Sequence, residues 1–128
     1  MARGVAGVVG GLVAWFIVAT LLNFPLRWWW QGYVEAESPM TFTLPMLAAR
    51  LAIGVLASLA AGFVLAMIAK RAGRGALILG IVLVALFIPV HYGLWDKFPV
   101  WYHAAFIVSL VPFVLLGARI AVSRTQGA

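Results

Sequence analysis

The chain contains no cysteine, and only three of its 128 residues are acidic. The first absence removes disulfides, thiolate metal sites and cysteine nucleophiles. The second leaves little for acid–base chemistry. Glu35 and Glu37 alternate in a polar stretch with no apolar pocket to make either a general acid, and Asp96 stands alone. Catalytic signatures are missing too: there is no G-x-S-x-G, H-E-x-x-H, P-loop or dinucleotide fingerprint. Gly7, Gly10 and Gly11 lie inside an apolar run and not after a strand. No enzyme is expected.

Hydrophobic residues, in contrast, make up 66% of the chain and charged ones only 9%. That balance excludes disorder and argues against a soluble core. Uncharged runs cover Gly4–Pro25, Leu51–Ala69, Gly75–Val90 and Phe98–Ala118. Roughly 20 helical residues cross a hydrocarbon core about 30 Å thick, so each run predicts a membrane span. The expected fold is all-α: one integral membrane domain over residues 1–128, a four-helix transmembrane bundle. Its spans are expected at about 4–25, 45–70, 75–95 and 98–121. The first run is longer than a signal-peptide core and no A-x-A-like site follows it before Pro25, so it is expected to stay as an anchor.

The net charge of +6 does not point to nucleic acid. Arg3, Lys70, Arg71, Arg74, Arg119 and Arg124 gather at span junctions on one side, against Arg27 and Lys97 on the other. By the positive-inside rule both termini are cytoplasmic, and the three acids fall outside. Basic residues so placed set topology and meet anionic lipid, and no basic face is interleaved with exposed aromatics. The longest outer connection, 25–44, joins the first two spans. It holds Trp28, Trp29, Trp30 and Tyr33, then a polar turn from Glu35 to Pro39. The tight Ala72–Gly75 turn makes the second and third spans expected antiparallel neighbours.

Small residues mark packing faces. Gly54, Ser58, Gly62 and Ala66 recur every four residues on the second span, and Gly7 and Gly11 do so on the first. Such stripes share one helix face and permit close backbone approach. The expectation is that they join the first two spans within the molecule, the alternative being an interface with a partner chain. Pro89 and Pro112 predict kinks, with Ser109 placed to offset the lost bond at Val108.

Polar residues gather near the outer ends of the spans: Asn23, Arg50, His91 and His103, with Asp96 in the last turn. Residues 91 and 103 are equidistant from Lys97, which puts both imidazoles at one depth of an antiparallel hairpin. Ionisable groups at membrane depth are costly and mark candidate sites with named partners. The bland readings are a snorkelling Arg50, or one bridged to Asp96 or Glu35, and neutral, singly bonded histidines. A metal held by both histidines and Asp96, or a haem between the histidines, are the sharper ones. Trp28, Trp29, Trp30, Tyr33, Trp95 and Trp101 form an outer aromatic belt at headgroup level. Three consecutive tryptophans exceed what a belt needs, so Leu26–Val34 is also a candidate lid or docking segment.

The run Phe98-Pro99-Val100-Trp101-Tyr102-His103, with Pro112 and Leu116-Gly117-Ala118-Arg119, resembles the last helix of small four-span bacterial membrane proteins of uncharacterised function. The likeness is confined to that span and implies no activity. Small multidrug exporters carry a membrane Glu in their first helix, and this chain has none there. Four-helix fluoride channels have polar helix motifs that are also missing. The resulting expectation is a non-enzymatic accessory or assembly subunit of the bacterial inner membrane. It would pack against other membrane proteins or its own copies in the lipid bilayer, and its cofactor is unknown. The alternatives are a small oligomeric transporter or channel lined by the outer polar residues, and a redox subunit holding a cofactor on its histidines.

Overall fold

The computed structural model describes the backbone of residues 2–37, 42–70 and 74–127, and side chains within 3–36, 42–70 and 74–123. Among them are five helices: α1 (Ala2–Trp29), α2 (Tyr33–Glu37), α3 (Leu44–Ala69), α4 (Arg74–Gly93) and α5 (Val100–Gly127). All but α2 are long and apolar enough to cross a membrane. Their outward faces carry Val5, Val9, Val13, Ile17, Ile81 and Ile88, while Ser58, His91 and His103 are buried. Apolar outside and polar inside is the distribution that lipid, not water, stabilises.

The end of α1 departs from expectation. The helix does not stop at Pro25 but runs through it to Trp29. Proline removes one N–H, but helices of membrane composition tolerate it because the bonds on both sides persist. The expected open loop is thus largely helical, since Trp28 and Trp29 belong to α1 and Glu35 to α2. Gly32 makes the bend between them with φ +90°, where a side chain would be strained. Residues 38–41 and 71–73, the latter including Ala72 and Gly73 of the expected Ala72–Gly75 turn, lie outside the described residues. At the start of α3, Pro45 occupies the first turn after Thr43, where its missing N–H had no partner to lose. Lys70 closes the other end in the left-handed conformation, donating its N–H to Ala66 O at 2.8 Å.

Around the bundle the order is α1, α3, α5, α4, and α3 meets α4 only across the short diagonal. The expectation that α3 and α4 are close antiparallel neighbours is therefore corrected. The stripe on α3 explains why. Gly62 lies against the backbone of Val114 and Ala118, and Gly54 against the Phe106 ring, all on α5. Gly117 of α5 answers by seating on the Leu59 backbone. The face centred on Ala57 and Ala61 meets α1, where Gly11 lies against Ala61 O and Gly7 so close to Leu65 O that a Cβ there would stand 3.1 Å from it. Gly54 and Gly62 thus pack inside the molecule, but on α5 and not on the first span. Small residues on two sides of α3 draw it between α1 and α5, and α4 is left opposite.

Trp15, Leu65, Leu79, Leu83, Phe106, Leu110 and Val114 fill the centre. Trp15 Nε1 donates to Ser58 Oγ at 3.0 Å, and that hydroxyl donates to Gly54 O at 2.8 Å. Ser58→Ala leaves the indole N–H in an apolar core. It is expected to lower stability by about 0.5–2 kcal/mol in a thermal melt in detergent. Ser109 donates to Phe106 O at 2.8 Å and not to the carbonyl freed by Pro112.

Candidate functional site

Polar side chains from all five helices converge at the end of the bundle formed by the 29–44 connection and the 94–99 turn. Each arrives through local structure. Asn23 sits near the end of α1, Tyr33 opens α2, Arg50 lies in the second turn of α3, and His91 closes α4. After the 94–97 turn, Tyr102 and His103 occupy the first turn of α5, where their N–H groups reach back to Pro99 O.

Two connected arrangements result. The first begins with Asn23, whose Nδ2 donates to Ala19 O at 2.8 Å and so turns Oδ1 inward. Tyr33, fully buried, donates its hydroxyl proton to that oxygen at 2.9 Å. The lone pairs of the same hydroxyl accept Arg50 Nη1–H at 3.0 Å. The guanidinium lies over the Phe42 ring, 4.5 Å from its centroid, and is close enough to interact electrostatically with the Tyr102 hydroxyl.

The second arrangement is the histidine pair. His91 Nδ1 and His103 Nδ1 face one another at 2.6 Å, and both rings are buried. One Nδ1 must carry a proton and the other must be bare, because two N–H groups would meet proton to proton. Aromatic rings enclose the pair. Trp95 stacks on His103 at 4.9 Å and 14°, Phe106 tilts over His91 at 4.8 Å, and Tyr102 stacks on His91 at 6.1 Å. His103 Nε2 is buried without a hydrogen-bond partner. Tyr102 links the two arrangements, since it touches His91 on one side and interacts with Arg50 on the other.

Asp96 does not join them. It is exposed in the turn, and no group of three His, Asp or Glu converges among the described residues. The Nδ1 contact is also too short for a shared ion. Tetrahedral zinc would hold two imidazole nitrogens about 3.3 Å apart. Nor does a macrocycle fit between rings in direct contact. The expected bridge from Arg50 to Glu35 or Asp96 is likewise absent among the described residues: both acids are exposed, and the guanidinium is met by a hydroxyl and an aromatic face.

The aromatic surface divides. Trp28 and Trp29 are 77% and 79% exposed, and Trp95 and Trp101 present about half their surface. Tyr33 was expected with them but is fully buried, and Trp30 is half-buried against it. Composition does not separate a belt tyrosine from a buried one; the helical phase of α2, which turns Tyr33 and Ala36 inward together, does. Sequence reasoning also missed Phe87, Phe98 and Phe106 as walls of the histidine site. Phe87, four residues before His91, and Phe106, three after His103, carried a helical-spacing signal; Phe98, in the turn before α5, did not.

Comparison with family models, with curated proteins and with solved structures finds no match to this chain.

Proposed function

We propose that the chain is a non-enzymatic, multi-pass protein of the bacterial inner membrane that acts as an accessory or assembly subunit, packing against other membrane proteins. The observation that carries this reading is the closed interior. Where Gly62 meets Val114 and Gly117 meets Leu59, two backbones touch and leave no lumen between α3 and α5. The polar side chains of the site stop at one end, and below them the described core is apolar but for Ser58, whose hydroxyl is taken up by Trp15 and Gly54. A protomer so built offers its surroundings surfaces and not a passage. Long exposed apolar faces on α1 and α4 supply those surfaces.

The orientation that fits the basic residues places both termini and the 70–74 connection in the cytoplasm, with the paired histidines near the outer leaflet. Reporter fusions after Ala128 and within 70–75 are expected to read inside, and one beside Glu37 outside. An outside signal at Ala128 would overturn this topology. For the function itself, the chain reconstituted alone into liposomes should leave ion and solute permeability at the level of empty vesicles. Extracted gently from its native membrane, it should migrate in stoichiometric association with another membrane protein. Flux above the empty-vesicle level that is lost on substituting Arg50 or His91 would replace this reading with an oligomeric transporter.

A further inference from the structure

The most unusual group in the molecule is Arg50. A snorkelling arginine buries its stem and puts its head in water. Here the head is drawn inward: Nη1 is tied to a fully buried tyrosine, and Nε is buried without any hydrogen-bond partner. The ties are directional. Asn23 spends its amide proton on its own helix, Tyr33 spends its hydroxyl proton on Asn23, and the lone pairs left over fix one edge of the guanidinium. The relay runs from the cation through Tyr33 and Asn23 to the Ala19 carbonyl, and none of its members supplies negative charge. The described acids Glu35 and Asp96 are exposed and do not pair with it. Guanidinium has five N–H donors in a fixed fork suited to two oxygens of one anion. The side chain of Glu37 lies outside the described residues; among those described, no anion meets the guanidinium, and an unpaired charge held below the surface is among the costliest states a protein can adopt.

We infer that Arg50 is one half of a phosphate site, the counter-charge that no described acid gives it being supplied by the phosphodiester of a lipid headgroup or by a free phosphate ion. Depth selects this chemistry. Arg50 lies six residues beyond Leu44, about 9 Å along α3 from its start. The exposed Trp28, Trp29, Trp95 and Trp101 mark the same end as headgroup level, where phosphate is the abundant anion. Phe42 and Tyr33 hold the fork in place before the anion arrives, so little ordering remains to oppose binding.

The test uses the full chain, purified in mild detergent and stripped of lipid. Phosphatidylglycerol, phosphatidylcholine, a phosphate-free galactolipid and inorganic phosphate are then added separately. Bound lipid is read by native mass spectrometry and stability by thermal melting. Both phospholipids are expected to bind and to raise the melting temperature, while the galactolipid does neither. Arg50→Gln should weaken phospholipid binding roughly tenfold, the size of one charge-assisted contact. Tyr33→Phe keeps the charge but releases the fork, and should weaken binding by a smaller factor. An equal rise with millimolar inorganic phosphate alone identifies the free ion as the source; no rise with it identifies the lipid. Galactolipid binding as tight as phospholipid binding, or undiminished phospholipid binding by Arg50→Gln, would overturn the inference. If Arg50→Gln does not fold, the galactolipid comparison on the wild-type chain and the Tyr33→Phe affinity decide it. No partner protein enters this experiment, so its outcome is separate from that of the assembly reading.

Discussion

Gly62→Ala and Gly117→Ala are each expected to prevent the bundle from closing, although each adds a single methyl group. At Gly62 that methyl would overlap the Val114 carbonyl oxygen and lie 2.8 Å from its carbon and 2.9 Å from Ala118 N. At Gly117 it would overlap the Leu59 carbonyl oxygen, with Leu59 Cα at 2.9 Å. Both obstacles are backbone, so no rotamer change relieves them, and α3 and α5 must separate along their length. Ordinary overpacking costs about 1–3 kcal/mol, and these two sites should exceed that range. Gly10→Ala is the informative contrast. Its methyl meets the tip of Ile68 at 2.5 Å, a flexible group that can turn away, so the loss should stay below about 1 kcal/mol. Gly4→Ala, with nothing within 4 Å, should be neutral or slightly stabilising. Thermal melting and size-exclusion profiles in detergent give the ranking. A Gly62→Ala protein as stable and monodisperse as wild type would show that α3 and α5 are not in backbone contact.

The histidine pair makes the second large prediction, and it is asymmetric. His91→Phe should cost more than His103→Phe, and the double substitution less than the two together. Replacing His91 leaves His103 buried with both ring nitrogens unpartnered, because its Nε2 already has none. Replacing His103 removes that orphan and strands only His91 Nδ1. A newly stranded buried nitrogen costs about 1–3 kcal/mol, whereas exchanging both partners for apolar rings of similar shape is close to neutral. The surrounding Phe87, Trp95, Tyr102 and Phe106 should accept phenyl rings readily. A double-mutant cycle read by thermal melting is expected to give a coupling of about 1–2 kcal/mol. Additivity to within about 0.3–0.5 kcal/mol would mean that the rings are not bonded to each other.

How much of this was legible before the structure depends on what kind of information each feature carries. The four long helices were written in hydropathy, because a bilayer imposes length and polarity on any chain that crosses it. The end of α1 was misjudged because Pro25 stops a helix in water more strictly than in lipid. The stripe on α3 announced a close approach but not its recipient. A glycine records the absence of a side chain and says nothing about which backbone fills the space, so α5 could not be distinguished from α1. The depth of His91 and His103 followed from their symmetry about Lys97, and the structure brings those two rings into contact. Asp96 was grouped with them by proximity in sequence, yet a turn residue faces outward by default. Arg50 and Asn23 were grouped with the histidines as well. They belong instead to an arrangement centred on Tyr33, which no periodicity in a five-residue helix reveals.

The cyclic order of the helices also has a bearing on biogenesis. Chains emerge from the ribosome amino end first, and α3 precedes α5 by the whole of α4. The α1–α3 pair can form early, but the glycine face of α3 then looks onto lipid until the last helix is delivered. During that interval the membrane holds a half-assembled species whose most adhesive surface is uncovered, and a truncated or stalled chain would remain in it. Closure of the bundle therefore waits on α5, with Gly117 as the residue that completes the seal against Leu59.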